Sequence, residues 1–206
     1  MTTEAIGAVI LAAGGSSRLG EPKQFLVHAG ETLVRRATLA AIGARCTPAV
    51  VVAGDHRERI AREVTDLGAD VLHHPQWRLG IGYSLRAGVA HALATAPGLD
   101  ALIVLVCDQP FVTPEILTAL IRAREKSQKP GAASTYAGTI GVPALFGRSL
   151  FDELSALANN EGAKRILVNR PTDFACIAFP EGVVDIDTPA DRRAYLASEA
   201  QPQIHS

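Results

Sequence analysis

Ile6-Gly-Ala-Val-Ile-Leu11 runs directly into Ala12-Ala-Gly-Gly-Ser-Ser-Arg-Leu-Gly-Glu-Pro-Lys-Gln-Phe-Leu26. The first six residues show no polar alternation, the pattern of a strand covered on both faces in a parallel sheet. The loop after them is built of small residues punctuated by Arg18 and Lys23. Small side chains let backbone N–H groups approach phosphate oxygens, and the two cations can offset the charge those dipoles leave uncompensated.

Outward from this stretch, apolar runs of strand length alternate with segments of helical period. Ala49–Ala53, Ala69–Leu72 and Ala101–Cys107 read as strands. Thr32–Ala44, Asp55–Leu67, the segment through Leu85, Val89 and Leu93, and a stretch from Pro114 to about Arg124 read as helices, with Asp55 as an N-cap. The alternation predicts an α/β fold around an open parallel sheet. Beyond the polar connector Lys126–Gly131 it becomes less regular. Strands are expected at Ala132–Thr135 and Val142–Phe146 around a turn at Ala137-Gly138, and helices at Leu150–Leu157 and Ala163–Val168. A last strand pair, Ala175–Phe179 and Val183–Ile186, leads into a helix starting near Pro189. The expectation is a single domain over residues 1–197 with a polar tail over 198–206.

Composition limits the function classes. The 206 residues carry 20 Lys+Arg against 21 Asp+Glu, a net charge of −1, and 48% are hydrophobic, which excludes a disordered chain and an extensive nucleic-acid footprint. Ala8–Ala13, the longest apolar stretch near the start, is far short of the ~20 residues of a membrane helix, so the chain is read as cytoplasmic and not membrane-bound. Cys46, Cys107 and Cys176 are widely spaced beside apolar residues and read as reduced core thiols.

In an open parallel sheet ligands bind beyond the carboxyl ends of the strands. Gly15 to Gly20 matches half of a P-loop, but Glu21-Pro22 stands where Lys-Ser/Thr should follow, and Gly80-Ile-Gly82 is not a dinucleotide fingerprint. At the end of the most hydrophobic strand, Cys107-Asp-Gln-Pro110 presents a carboxylate, a hard oxygen ligand suited to Mg²⁺ at nucleotide phosphates; helix capping or a turn is the alternative. In Asp185-Ile-Asp187-Thr-Pro-Ala-Asp191 the first two carboxylates point to one side, and either can be the second metal ligand unless Asp187 caps the following helix.

Together the loop after the first strand, Cys107-Asp-Gln-Pro110 and Asp185–Asp191 resemble the molybdenum-cofactor nucleotidyltransferase family, the MobA-like NTP transferases, from about Ile6 to Tyr195. Leu11-Ala-Ala-Gly14 is closest to the cytidylyltransferase (MocA-type) branch. His74-Pro-Gln-Trp77 with Gly80-Ile-Gly-Tyr-Ser-Leu-Arg-Ala-Gly88 is similar to that branch's base and ribose segment. The resemblance implies a Rossmann-like, mostly parallel sheet flanked by helices, the nucleotide-diphospho-sugar transferase (GT-A-like) fold. It implies nucleotide binding by Leu11, Ala12, Ala13, Gly14, Gly15, Ser16, Arg18, Lys23, Gly82 and Ser84, catalysis by Arg18, Lys23 and Asp108, and Mg²⁺ (or Mn²⁺) on Asp108 and Asp187. The implied substrates are CTP or another NTP and molybdopterin, with a molybdenum hydroxylase of the xanthine dehydrogenase type as client.

Gly141-Val-Pro-Ala-Leu-Phe146 and Asn160-Glu-Gly-Ala-Lys164 fall where the family has acceptor elements, which puts Gln109, Pro143, Asn160 and Lys164 on the acceptor side. Val142, Asn159 and Asn160 depart from the family pattern there, so a sugar phosphate or another phosphorylated acceptor is an alternative to molybdopterin. A non-catalytic cofactor-binding protein is an alternative of another class, against which the intact set Arg18, Lys23, Asp108 and Asp187 argues. Adjacent His73 and His74 point apart in a strand, Trp77 is as much a packing residue as a ligand contact, and Arg35-Arg36 mark a solvated helix face.

Overall fold

The structure, a computed structural model, describes residues 4–14 and 22–184. Its centre is the strand β1 (Ile6–Leu11), entirely apolar apart from its glycine and buried along almost its whole length. A hairpin of two very short strands follows, β2 (Val27–His28) and β3 (Glu31–Thr32), and then α1 (Leu33–Gly43), whose first turn is capped by the Thr32 side chain. Next come β4 (Ala49–Ala53), α2 (Arg57–Val64), β5 (Asp70–His73), α3 (Ile81–Thr95) and β6 (Ala101–Val106). The second half holds α4 (Pro114–Ser127), β7 (Gly131–Tyr136), β8 (Thr139–Gly147), the short helices α5 (Phe151–Ser155) and α6 (Lys164–Asn169), and β9 (Phe174–Ala178).

Seven strands form one sheet in the order β5-β4-β1-β6-β8-β7-β9. β5, β4, β1 and β6 are parallel neighbours, β8 runs antiparallel to both β6 and β7, and β7 pairs parallel with β9. Alternate side chains of each strand feed opposite cores. Ala8 and Ile10 pack with α1, α2 and α4, whereas Val9 packs with α3, α5 and α6. Helices therefore cover both faces, which is why β1, β4 and β6 read as unbroken apolar runs. Among the described residues no helix is long and apolar enough to cross a membrane.

Several expectations need correction. α2 starts at Arg57 rather than Asp55, with His56 at the cap position. Of the strand expected at Val183–Ile186, Val183 belongs instead to a 3-10 turn over Pro180–Val183, and residues 185 and 186 lie outside the described residues, as do the positions of the helix expected near Pro189 and of the tail. Arg35-Arg36 is not simply a solvated face. Arg35 pairs with Glu31 and Asp66, and Arg36 donates through Nε and Nη2, both at 3.2 Å, to the Pro110 carbonyl beyond β6.

The thiols also divide. Cys46 and Cys107 are buried, whereas Cys176, expected in the core, is exposed on the edge strand β9. Burial pushes the Cys46 thiol up to about 12 and the Cys107 thiol well above its ordinary range, the latter with help from the neighbouring Asp108 carboxylate. A thiol-specific disulfide reagent is therefore expected to titrate only Cys176 in the native chain and all three cysteines after denaturation; rapid native reaction of more than one would contradict this packing.

Candidate active site

From β1 the chain moves through α1 to β4 and β5 on one side of the sheet, then returns to place β6 on the other side of β1. The order reverses between β1 and β6, and at such a switch point the loops leaving neighbouring strands part to open a crevice. Leu11 is in register with Val106, and the Cys107 N–H bonds to the Leu11 carbonyl at 3.2 Å, so Ala12 and Asp108 leave the sheet almost side by side.

A 3-10 turn at Lys23–Phe25 brings the chain back over this crevice. Its Phe25 is buried in the core while Lys23 reaches across, and the ammonium forms a close ion pair with Asp108 Oδ2. The two side chains are only 16% and 15% exposed, so the charges are largely withdrawn from water and each offsets the other. Asp108 Oδ1 is buried and has no hydrogen-bond partner among the described residues.

These groups face a cavity of about 330 Å³, in the range of small-ligand pockets. Of the residues expected to bind nucleotide, Leu11, Ala13, Gly14, Lys23 and Ser84 line it together with Asp108. Ala12 lines a smaller recess beside it. Gly15, Ser16, Arg18 and Asp187, like Asp185, lie outside the described residues.

Gly82 is not in the cavity wall. Its N–H donates to the Asn159 carbonyl at 2.9 Å, and a Cβ there would stand 2.0 Å from the Ala158 carbonyl oxygen and 2.6 Å from that of Glu161. Its lack of a side chain is thus explained by the loop 158–161 lying on the start of α3. Arg86 ties the same loop down, donating to the Leu157 carbonyl and, at 2.8 Å, to Asn159 Oδ1. Asn159 therefore has an internal role independent of any acceptor. Asn160 belongs to this loop and Lys164 begins α6, so neither lines the cavity.

The other two residues expected on the acceptor side also lie outside the cavity wall. Gln109 is buried and donates from Nε2 to the Gly182 carbonyl at 2.9 Å, pinning the last described segment to the end of β6. The Pro143 carbonyl, in β8, accepts from the Ser134 hydroxyl at 2.8 Å.

Sequence reasoning gave no role to Gln24 or Arg78, both of which line the cavity, as do Gly80 and Ile81 of the segment likened to the base and ribose pocket. Trp77 lines it as well, with its indole N–H donating to Asp55 Oδ1 at 2.9 Å, and Arg78 donates to Asp55 Oδ2 at 2.5 Å. The Trp77 bond first, and the Arg78 guanidinium after it, hold the Asp55 carboxyl below the usual carboxylate range. With both oxygens so engaged, Asp55 does not cap α2. His73 is exposed and His74 buried, as expected of neighbours in an extended segment. Burial, with a smaller contribution from His73, lowers the His74 pKa, and its ring rests on Tyr83 with centroids 4.9 Å apart.

No cluster of three His, Cys, Asp or Glu side chains capable of holding a metal exists among the described residues. The single orphaned oxygen of Asp108 nevertheless fits Mg²⁺ or Mn²⁺ at a nucleotide, since such an ion takes one or two carboxylates and fills its shell with water and phosphate oxygens. Cys107 is buried, and burial raises its pKa, which disfavours the nucleophilic thiolate. The arrangement offers a cation and a carboxylate beside a loop of small residues, which can align phosphates and neutralise their charge without a covalent intermediate.

Residues 8–173 match the MobA-like NTP transferase domain. Among curated proteins, purine catabolism protein PucB of Bacillus subtilis (strain 168) is 29% identical over 198 residues, covering 89% of this chain and 92% of PucB. The crystal structure of Rv0371c from Mycobacterium tuberculosis H37Rv superimposes with a TM-score of 0.79 at 28% identity, over 96% of this chain and 100% of that one. A structure of Rv0371c in complex with manganese gives 0.75 at 26% identity, over 94% and 99%. Mth528, a nucleotidyl transferase from Methanothermobacter, gives 0.76 at 22% identity over 95% and 98%, a likeness of fold alone. The fold is the GT-A-like nucleotide-diphospho-sugar transferase fold, as the family resemblance implied.

The packing at Gly82 yields a direct expectation. Gly82→Ala should destabilise the chain by about 1–3 kcal/mol through backbone overpacking, read as a lower urea midpoint; an unchanged midpoint would show that the loop 158–161 does not press on α3.

Proposed function

Because this chain belongs to the MobA-like NTP transferase family, we propose that it transfers CMP from CTP to the terminal phosphate of molybdopterin and releases pyrophosphate. The observation that carries this reading is the Lys23–Asp108 pair at the β1/β6 switch point, facing the cavity with one Asp108 oxygen buried and without a hydrogen-bond partner among the described residues.

In this reading an oxygen of the acceptor phosphate attacks the α-phosphorus of the NTP as the bond to pyrophosphate breaks. The N–H groups of the loop from Ala13 to Ser17 hold the triphosphate. Lys23, with Arg18, offsets the negative charge that develops on the α-phosphate and the leaving group. Asp108 and Asp187 hold Mg²⁺ or Mn²⁺, which when bound supplies charge neutralisation and orientation at the phosphates; the manganese complex of Rv0371c supports a divalent ion here. In the free protein Lys23 and Asp108 neutralise one another. Arrival of the nucleotide lets each exchange its partner for one of opposite sign on the substrate.

The choice of CTP rests on Leu11-Ala-Ala-Gly14, the form of the cytidylyltransferase branch. Gln109, Pro143, Asn160 and Lys164 are the acceptor-side candidates. The name of PucB, which places that relative in purine catabolism, supports a client of the xanthine dehydrogenase type.

Purified protein with Mg²⁺, each of CTP, GTP, ATP and UTP, and molybdate-loaded molybdopterin is expected to release pyrophosphate with CTP and only when the pterin is present. Turnover with a sugar phosphate but none with molybdopterin would overturn the acceptor, and silence throughout would overturn the activity. Loss of one well-aimed charge-stabilising donor costs about 2.7–4 kcal/mol in the barrier, so Lys23→Ala should slow turnover about a hundredfold or more. Asp108→Asn should abolish metal-dependent turnover, and near-normal rates in either variant would contradict the assignments.

A further inference from the structure

Gln24, the neighbour of Lys23, is turned into the loop after β1. The residue is only 1% exposed. Nε2 donates to the Ala12 carbonyl at 2.8 Å and to the Gly14 carbonyl at 2.6 Å, so one amide group gathers two backbone oxygens from either side of Ala13. The Ala12 carbonyl and the Ala13 N–H belong to one trans peptide unit and point in opposite directions. Fixing the carbonyl on Gln24 turns the Ala13 N–H away from it. A carbonyl left to rotate freely could present its negative end to a phosphate; two carbonyls held on Nε2 cannot.

A purely space-filling role is poorly served by this residue. Gln24 Oε1 is buried with no hydrogen-bond partner among the described residues, and such an atom is costly to desolvate. An unbranched apolar side chain of similar size would fill the same volume without that cost. What only the amide supplies is the pair of bonds from Nε2.

We propose that Gln24 is a positioning residue for the nucleotide, holding residues 12–14 in an anion-accepting form before substrate arrives. The proposal rests on the nucleotidyltransferase reading of the cavity. Gln24 acts through the loop, and its effect falls on nucleotide affinity and the KM for NTP more than on kcat, because loop preorganisation lowers the cost of binding.

The test compares wild type, Gln24→Met and Gln24→Glu by calorimetric titration with each of the four Mg–NTPs, by thermal melting, and by hydrogen exchange of peptides spanning residues 8–14 without nucleotide. Losing both Nε2 bonds is expected to weaken nucleotide binding about tenfold or more in Gln24→Met, with faster exchange across the loop and a melting point close to wild type. In Gln24→Glu a carboxylate faces two carbonyl oxygens. Burial and those oxygens favour its protonated form, which can donate again, so the affinity deficit should shrink as pH falls from about 8 to about 6. The Gln24→Met deficit should not depend on pH. Wild-type affinity in Gln24→Met, or a Gln24→Glu deficit that does not move with pH, would overturn the proposal. If wild-type protein binds none of the four nucleotides, the functional reading fails, and unchanged loop exchange in Gln24→Met would then overturn the clamp on its own terms.

Discussion

The ion pair between Lys23 and Asp108 is the contact on which the rest of the site depends. A lysine and an aspartate this far withdrawn from water are stabilised by facing each other, since ion pairing offsets part of the cost of desolvating two charges. The pair exists because two distant pieces of chain are forced together. β1 and β6 run parallel in register to their last residues, and the 3-10 turn carrying Lys23 is anchored by Phe25 in the core. Once paired, the two residues mark the boundary between the sheet and the cavity above it.

Each of these charged residues is followed by a buried glutamine that ties it to a different part of the molecule. Gln24 holds the carbonyls of Ala12 and Gly14, and Gln109 holds that of Gly182. The charges are thus mounted on backbone fixed from behind, which is what catalysis by alignment and charge neutralisation requires. The opposite wall is built the same way. Loop 158–161 lies on the first turn of α3, fastened by Gly82 and Arg86, while Asp55 anchors Trp77 and Arg78.

Much of this was legible in the residues. β1, β4 and β6 declare themselves because a strand covered by helices on both faces has no polar side to show; Asp108 stands out as a charge just beyond such a run, and Lys23 as a cation in the small-residue stretch that follows β1. The failures have equally definite causes. Asp55 has the chemistry of an N-cap, but a tertiary partner, Trp77, claims its carboxylate. The hairpin of β2 and β3 is too short, two residues in each strand, to produce any alternation. Cys176 sits among apolar neighbours in sequence yet lies exposed on the edge strand. Gln24 carried no signal because the partners of a buried amide are set by the fold and not by spacing along the chain.

The central claim is that the β1/β6 crevice holds a metal-bound nucleotide between Lys23 and Asp108. A crystal structure of this chain with a non-hydrolysable CTP analogue and Mn²⁺, with the metal located by its anomalous scattering, tests it most directly. The account predicts the manganese on Asp108, the triphosphate against Ala13 and Gly14, and the Lys23 ammonium moved from the carboxylate to a phosphate oxygen. A manganese site away from Asp108, or a nucleotide bound with the Lys23–Asp108 pair intact and untouched, would contradict it.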